Sequence, residues 1–231
     1  MITLTGTSGF SYKAWRGSFY PDKLPEAKML AFYAEKLGAV EINNTFYRMP
    51  NASQLDAWAA ETPASFRFAL KSPRQITHMK KLIDVGDAVT RLGETARALA
   101  DRLGPILFQL PPFVRKDLGV LEAFLATLPS GLRAAVEFRH ASWLADDVYD
   151  VLKRHDAALC VADSEDLATP LEATAGWGYL RLRRQDYDEA GLRGWAERLK
   201  AQRFDEAFVF FKHEDEAAGP ALADSFRSMM M

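Results

Sequence analysis

The chain has 231 residues, is 48% hydrophobic and carries a formal net charge of -2, with a sequence isoelectric point near 6.1. That length fits one large α/β domain or two small ones, and the near-neutral balance excludes a protein that coats nucleic acid through bulk charge. Its single cysteine, Cys160, excludes an internal disulfide and a cysteine-based zinc site. No apolar run reaches the roughly 18 residues of a membrane helix, and the chain enters its first strand pattern without the basic segment or cleavage site of a secretory leader. A cytoplasmic protein is expected.

In chain order, residues 2–7 read as a strand, followed by an irregular stretch over 9–25. An amphipathic helix is predicted over 28–37, with Leu30, Tyr33, Ala34 and Leu37 on one face and Gly38 as its cap. A strand at 39–43 and a loop at 44–51 precede Ser53-Gln-Leu-Asp56, which resembles a capping box opening a short helix through Trp58. The third strand spans 67–71 and a long loop runs over 72–85. The next helix covers 87–103, carrying Val89, Leu92, Ala96 and Leu99 at helical spacing until Gly104-Pro105 stops it. Strand patterns at 106–109, 134–139, 158–163, 178–183 and 207–212 complete the set, with helices over 118–128, 147–155, 189–202 and 220–230. The segment 164–175 has room for only a turn or two of helix. Residues 140–145 form a fourth irregular stretch after a strand.

Eight strand-plus-helix units in one chain of this size predict a single-domain TIM-like (β/α)8 barrel, with all eight strand C-termini gathered at one mouth. The competing architecture is an open doubly wound sheet. Such sheets announce a nucleotide site by a Gly-rich first turn, and Gly6-Thr-Ser-Gly-Phe10 has the spacing of neither GxGxxG nor a Walker loop.

Side chains alternate along a strand, so residues two apart share a face. On that rule Glu41 lies with Asn43, Glu137 with Arg139, Arg181 with Arg183, Lys71 with Ala69, Gln109 with Leu107, Asp163 with Val161 and Lys212 with Phe210. With those faces turned inward, the mouth would hold the carboxylates Glu41, Glu137 and Asp163 beside the cations Lys71, Arg139, Arg181, Arg183 and Lys212. Such a mixture suits a phosphate or carboxylate ligand, with acids left for proton transfer. The alternative is structural: Glu137–Arg139 or Asp163–Arg181 would simply neutralise one another. Three strand-end carboxylates favour function, because each costs several kcal/mol to desolvate.

Other chemistries carry weaker signals. Glu41, Glu137, Asp163 and His213 offer donors for a divalent Mg or Mn ion, but the four histidines show no ligand spacing, so a metal is admitted and not favoured. Ser8 and Ser164 follow strands outside any GxSxG elbow. Glu41 with Glu137 could form a glycosidase-like pair, decided by their separation. Cys160, inside the sixth strand, reads as a buried, inert thiol. Phe10, Tyr12, Trp15, Phe19, Tyr20, Phe46, Tyr47 and Trp143 crowd the loops after strands, where aromatics either stack on bases and sugars or anchor the loops. Trp15, Tyr20, Tyr47 and Trp143 are the stacking candidates.

Several blocks together resemble the domain of unknown function 72 (YecE-like) family. They are Gly6-Thr-Ser-Gly-Phe-Ser-Tyr12 with Trp15-Arg-Gly17 and Phe19-Tyr-Pro21, then Glu41-Ile-Asn-Asn-Thr-Phe-Tyr-Arg-Met-Pro50, Phe68-Ala-Leu-Lys71 with Thr77-His78, Leu107-Phe-Gln-Leu-Pro-Pro112, Ala135-Val-Glu-Phe-Arg139 with Ser142-Trp143, and Asp163. The resemblance spans essentially the whole chain. It implies a TIM-like barrel similar in shape to sugar isomerases and apurinic endonucleases, with mouth residues at Glu41, Asn43, Lys71, Gln109, Glu137, Arg139, Asp163 and Arg181. A ligand inferred from that shape is a fold-level analogy. Arg183-Arg184 stands where many members have His-Gly, and Lys212-His-Glu-Asp215 where many have Asn-Asn-Asp. Both departures make this mouth more basic.

Three functions follow as expectations. The first, preferred, is an enzyme acting on a phosphate-containing ligand. Lys71, Arg139, Arg181 and Lys212 hold the anion, Asn43 and Gln109 add polar contacts, and Glu41, Glu137 or Asp163 acts as acid or base. The second is a non-catalytic binder of short single-stranded nucleic acid, and the third a sugar-acting hydrolase or isomerase using Glu41 and Glu137.

Overall fold

A computed structural model describes residues 1–164, 168–184, 186–212 and 217–231. Its strands are β1 (Ile2–Ser8), β2 (Ala39–Ile42), β3 (Arg67–Lys71), β4 (Leu103–Gln109), β5 (Ala134–Glu137), β6 (Ala158–Asp163), β7 (Trp177–Leu182) and β8 (Glu206–Phe211). They pair in parallel in sequence order, and β8 returns to β1 through the register Ile2↔Glu206 to Thr7↔Phe211. The result is a closed TIM-like (β/α)8 barrel with helices outside it. Among the described residues the α-helices are α1 (Met29–Lys36), α2 (Ala52–Ala60), α3 (Gly86–Ala96), α4 (Leu118–Ala126), α5 (Asp146–Arg154), α6 (Glu189–Lys200) and α7 (Ala218–Met230). None is long and apolar enough to cross a membrane.

Alternation along the strands separates two apolar regions. Val40, Leu70, Phe108, Val136, Val161, Leu180 and Val209 point outward and pack under the helices. Ala39, Ala69, Leu107, Ala135, Ala158, Cys160, Tyr179, Phe208 and Phe210 fill the barrel interior. Inside, alanines on β2, β3, β5 and β6 face the aromatics of β7 and β8, so large and small side chains interdigitate within a fixed radius.

Local chemistry corrects three expectations. The cap of α2 is Asn51, whose side chain accepts from the Ser53 amide at 3.0 Å, so Ser53 lies inside the helix. The helix expected over 87–103 ends at Ala96 and tightens into a 3-10 segment over Arg97–Arg102, where Ala100 takes a φ of 48°. Gly104-Pro105 belongs to β4, not to a helix stop. A Cβ on Gly104 would sit 2.9 Å from the Phe68 carbonyl oxygen, beside the register shift between Phe68 and Leu70, a place that favours glycine in a strand. Finally, α1 ends at an extended Leu37, and the Gly38 amide donates to the Thr5 carbonyl of β1 rather than capping the helix.

Candidate functional site

Because β2, β5 and β7 present the same parity inward, Glu41, Glu137 and Arg181 meet at the C-terminal end of the barrel, each almost wholly buried. Arg181 lies between the carboxylates, donating from Nη2 to Glu41 Oε1 at 2.9 Å and from Nη1 to Glu137 Oε2 at 2.5 Å. Glu41 Oε1 also accepts from Ser8 Oγ at 2.8 Å and Asn43 Nδ2 at 3.2 Å, while Oε2 accepts from the Tyr179 hydroxyl at 2.8 Å. Glu137 Oε1 accepts from Gln109 Nε2 at 2.8 Å, with Arg139 Nε at 3.3 Å and Arg183 Nη1 at 4.0 Å from the same oxygen. Gln109 turns its other end, Oε1, to Lys71 Nζ at 2.8 Å. Phe46 lies under that ammonium at 4.4 Å from the ring centre, and its ring meets His78 edge-on.

Burial alone would raise both carboxyl groups. For Glu41 that effect is overcome by Arg181 and by the hydrogen bonds of Ser8 and Tyr179, so its value falls below the ordinary range. For Glu137 it is overcome by Arg181, Arg139 and Arg183, which bring the group to about 2. Both are therefore ionised at neutral pH and saturated with donors, a state that holds a cation in place and leaves no proton to give. Burial and then Arg181 push the Lys71 amine down to about 8, against the opposing pull of Glu41 and Glu137. Burial pushes the Cys160 thiol well above its ordinary value, as does the Glu137 charge; this inward-facing thiol is inert.

The expected residues divide. Glu41, Asn43, Lys71, Gln109, Glu137, Arg139 and Arg181 come together at the mouth. Asp163 does not: it follows outward-facing Val161 and accepts from Trp195 Nε1 of α6 at 3.1 Å, the Tyr187 hydroxyl at 2.8 Å and Arg184 Nε at 2.8 Å. On β6 the small residues Ala158 and Cys160 face the interior, which leaves Asp163 the opposite parity. Its contacts tie β6 to α6, and the expected pairing with Arg181 is replaced by Arg181's bonds to Glu41 and Glu137. Trp15 and Tyr20 are also displaced from ligand contact. Each is only 1% exposed, stacked on the other with ring centres 6.1 Å apart, and the Tyr20 hydroxyl donates to the Phe10 carbonyl at 2.6 Å. They anchor the loop after β1, and Trp143, also 1% exposed, likewise anchors the loop after β5 by stacking on Phe138 with ring centres 4.5 Å apart and donating to the Val114 carbonyl at 2.8 Å. Tyr47 and Lys212 are exposed. His213, weighed as a metal donor, lies outside the described residues.

Two participants stood outside the expected ligand set. Tyr179 is two residues before Arg181 and so shares its inward face, and Ser8 pairs in register with Glu41 across β1 and β2. Strand parity signals the first; the second needs the register. Among the described residues no three His, Cys, Asp or Glu side chains gather as a metal site, and Arg181 occupies the space between the two buried carboxylates. A cavity of about 360 Å³ opens beside the cluster, lined by Pro112, Glu137, Arg139, His140, Ala162 and Ser164 among others.

Fold and site together define a TIM-like barrel whose C-terminal mouth is built around an arginine clamped by two carboxylates. The chain belongs to the DUF72 family, described as "Protein of unknown function DUF72", whose family model matches residues 4–231. UPF0759 protein YecE of Escherichia coli (strain K12) is 35% identical over 114 residues, covering 49% of this chain and 42% of that protein. UPF0759 protein YunF of Bacillus subtilis (strain 168) is 28% identical over 142 residues, covering 58% of this chain and 50% of that protein. The chain thus spans about half the length of the curated relatives it matches. A crystal structure of a DUF72 family protein from Thermotoga maritima superposes with a TM-score of 0.84 at 27% identity, over 100% of this chain and 99% of that one. A DUF72 family protein from Enterococcus faecalis gives 0.80 at 18% identity, over 99% of this chain and 95% of that one, a likeness of fold.

Proposed function

We propose that the barrel mouth binds an anionic ligand bearing a phosphate or carboxylate group, held by Arg139, Arg183 and Lys71. The observation that carries this reading is the charge imbalance around Glu137. Among the described residues, Lys71, Arg139, Arg181 and Arg183 gather around two carboxylates, Glu41 and Glu137. Arg181 is committed to both carboxylates, whereas Arg139 and Arg183 keep 37% and 19% of their side chains exposed. Each guanidinium has five N–H donors in a fork that suits phosphate and carboxylate, more than its one contact with Glu137 uses. Such a site fits a protein working in the cytoplasm, where phosphorylated and carboxylated metabolites abound.

Glu41 and Glu137 are assigned to orienting Arg181, not to acid catalysis, because both are ionised and donor-saturated. The sugar-acting reading loses support for a related reason: a glycosidase pair needs the reacting carbon between its carboxylates, and Arg181 sits there. A second reading, a short single-stranded nucleic acid, is favoured by one observation. Tyr47 and Phe113 are 73% and 67% exposed on loops after β2 and β4, and Lys81 Nζ lies 5.4 Å over the Phe113 ring. Such a rim can stack bases while the mouth takes a phosphate.

The test is thermal unfolding against inorganic phosphate, sugar phosphates, small carboxylates and short oligonucleotides at fixed ionic strength. A ligand at a hundred times its Kd stabilises by about 2.7 kcal/mol. The expected result is a phosphate-dependent rise in Tm that is lost in Arg139→Ala and Arg183→Ala. Stabilisation by oligonucleotides alone, steeply weakened by salt, would select the second reading. No shift with any phosphate compound or small carboxylate would overturn both.

A further inference from the structure

We propose that Lys71 is a nucleophilic amine that condenses with the carbonyl carbon of an anionic aldehyde or ketone to form a Schiff base. The proposal rests on the anion-binding reading and names the substrate class of that site: a small carbonyl compound carrying a phosphate or carboxylate.

Among the described residues no carboxylate lies within ion-pair distance of Lys71 Nζ; its hydrogen-bond partner is the neutral Gln109 amide oxygen at 2.8 Å. That amide cannot turn over without cost, because its nitrogen donates to buried Glu137. The acceptor is thus fixed, and it aligns one N–H while leaving the nitrogen's other valences for a substrate. The groups around Lys71 come from every side of the mouth: Arg181 from β7 and Arg183 just beyond it, Glu137 from β5 and Arg139 just beyond it, Glu41 from β2 and His78 from the loop after β3. Burial disfavours an ammonium here, as do the Arg181 and Arg183 charges, against the pull of Glu41 and Glu137, and a free amine is the nucleophilic form. The Phe46 ring returns part of that cost by a cation–π contact while covering one side of the nitrogen. The guanidiniums of Arg139 and Arg183 would hold the substrate anion, placing its carbonyl carbon against Nζ.

The chemistry balances without an oxidant or reductant. The Nζ lone pair forms a C–N bond as the carbonyl π electrons move to oxygen, and the nitrogen gives up one of its protons to that oxygen, leaving a neutral carbinolamine. A second proton, taken from solvent, lets the C–O bond break with water as the leaving group while the nitrogen lone pair closes the C=N bond. Amine plus carbonyl gives iminium plus water once a proton is supplied.

The experiment treats the full chain with limiting glycolaldehyde phosphate or glyoxylate in the presence of cyanoborohydride, then maps adducts by mass spectrometry, with neutral glycolaldehyde as control. The expected result is at least tenfold faster labelling at Lys71 than at any other lysine, with the anionic aldehydes only. It should be slowed by inorganic phosphate and faster above about pH 8 than below it. Lys71→Arg, which removes the primary amine, should lose the fast adduct with no new fast-labelled lysine in its place. Labelling spread evenly over surface lysines, with the phosphate-induced rise intact, would overturn the nucleophile and leave the anion site standing. Even labelling with no phosphate response would overturn both.

Discussion

Arg181 is almost wholly buried, yet it is the hub of the mouth because two carboxylates compensate its charge from opposite sides. Removing one partner of such a group leaves an uncompensated buried charge, which costs about 3–5 kcal/mol. Glu137→Gln is therefore expected to lose about that much stability at pH 7, read by urea denaturation. The loss should depend on pH in a definite direction. In the folded protein Glu137 titrates near 2, below its ordinary value of 4.5. Its contribution is therefore fully present above about pH 4.5 and disappears as the pH falls towards 2. The gap between wild type and Glu137→Gln should narrow between pH 5 and pH 2.5; a gap independent of pH would contradict the assignment. At this scale the sequence was informative where parity alone decides, as for Glu41, Lys71, Glu137 and Arg181. It misled at Asp163, where the deciding signal was the size of its neighbours: Ala158, Cys160 and Ala162 are the small residues a crowded interior admits, so Asp163 had to face the helices.

The junction of β1, β2 and α1 shows what an element adds. The Tyr33 hydroxyl, on α1, accepts from the Thr7 amide at 2.8 Å and donates to the Ala39 carbonyl at 3.0 Å, tying the helix to the backbone of both strands. Gly6 lies beside this bridge, where a Cβ would fall 1.8 Å from the Ala39 carbonyl oxygen. Tyr33→Phe removes a hydrogen-bond partner from two buried backbone groups and should cost about 1–3 kcal/mol, measured as a shift in the urea midpoint with unchanged m-value. A change within a few tenths of a kcal/mol would mean that the strands re-pair without the hydroxyl. In the sequence Tyr33 reads as an ordinary apolar-face residue of α1, and its face was predicted correctly. Its hydroxyl's partners lie on two strands, so helical periodicity carries no trace of them. The early end of α3 was hidden for a similar reason. Leu99 continues the apolar spacing, but the turn at Ala100 and the bulge between β3 and β4 pull the chain out of the helix and into the barrel.

At the scale of the whole molecule, closure of β8 on β1 converts eight separate strand ends into one site. Counting strand-helix units was enough to anticipate the barrel and to say which end of it carries the polar residues. The pairings across it were not legible, because Arg181 and Glu41 are 140 residues apart in sequence and meet only when the circle closes. On the proposed reading, this convergence leaves Arg139 and Arg183 with positive charge to spare for an anion. The most direct measurement is the anomalous density of tungstate in a crystal of this protein, collected at the tungsten edge. A peak whose oxygens lie about 2.7–2.9 Å from both guanidinium groups, absent in Arg183→Ala, is the predicted result. Tungstate sites elsewhere on the surface, with none at the mouth, would contradict it.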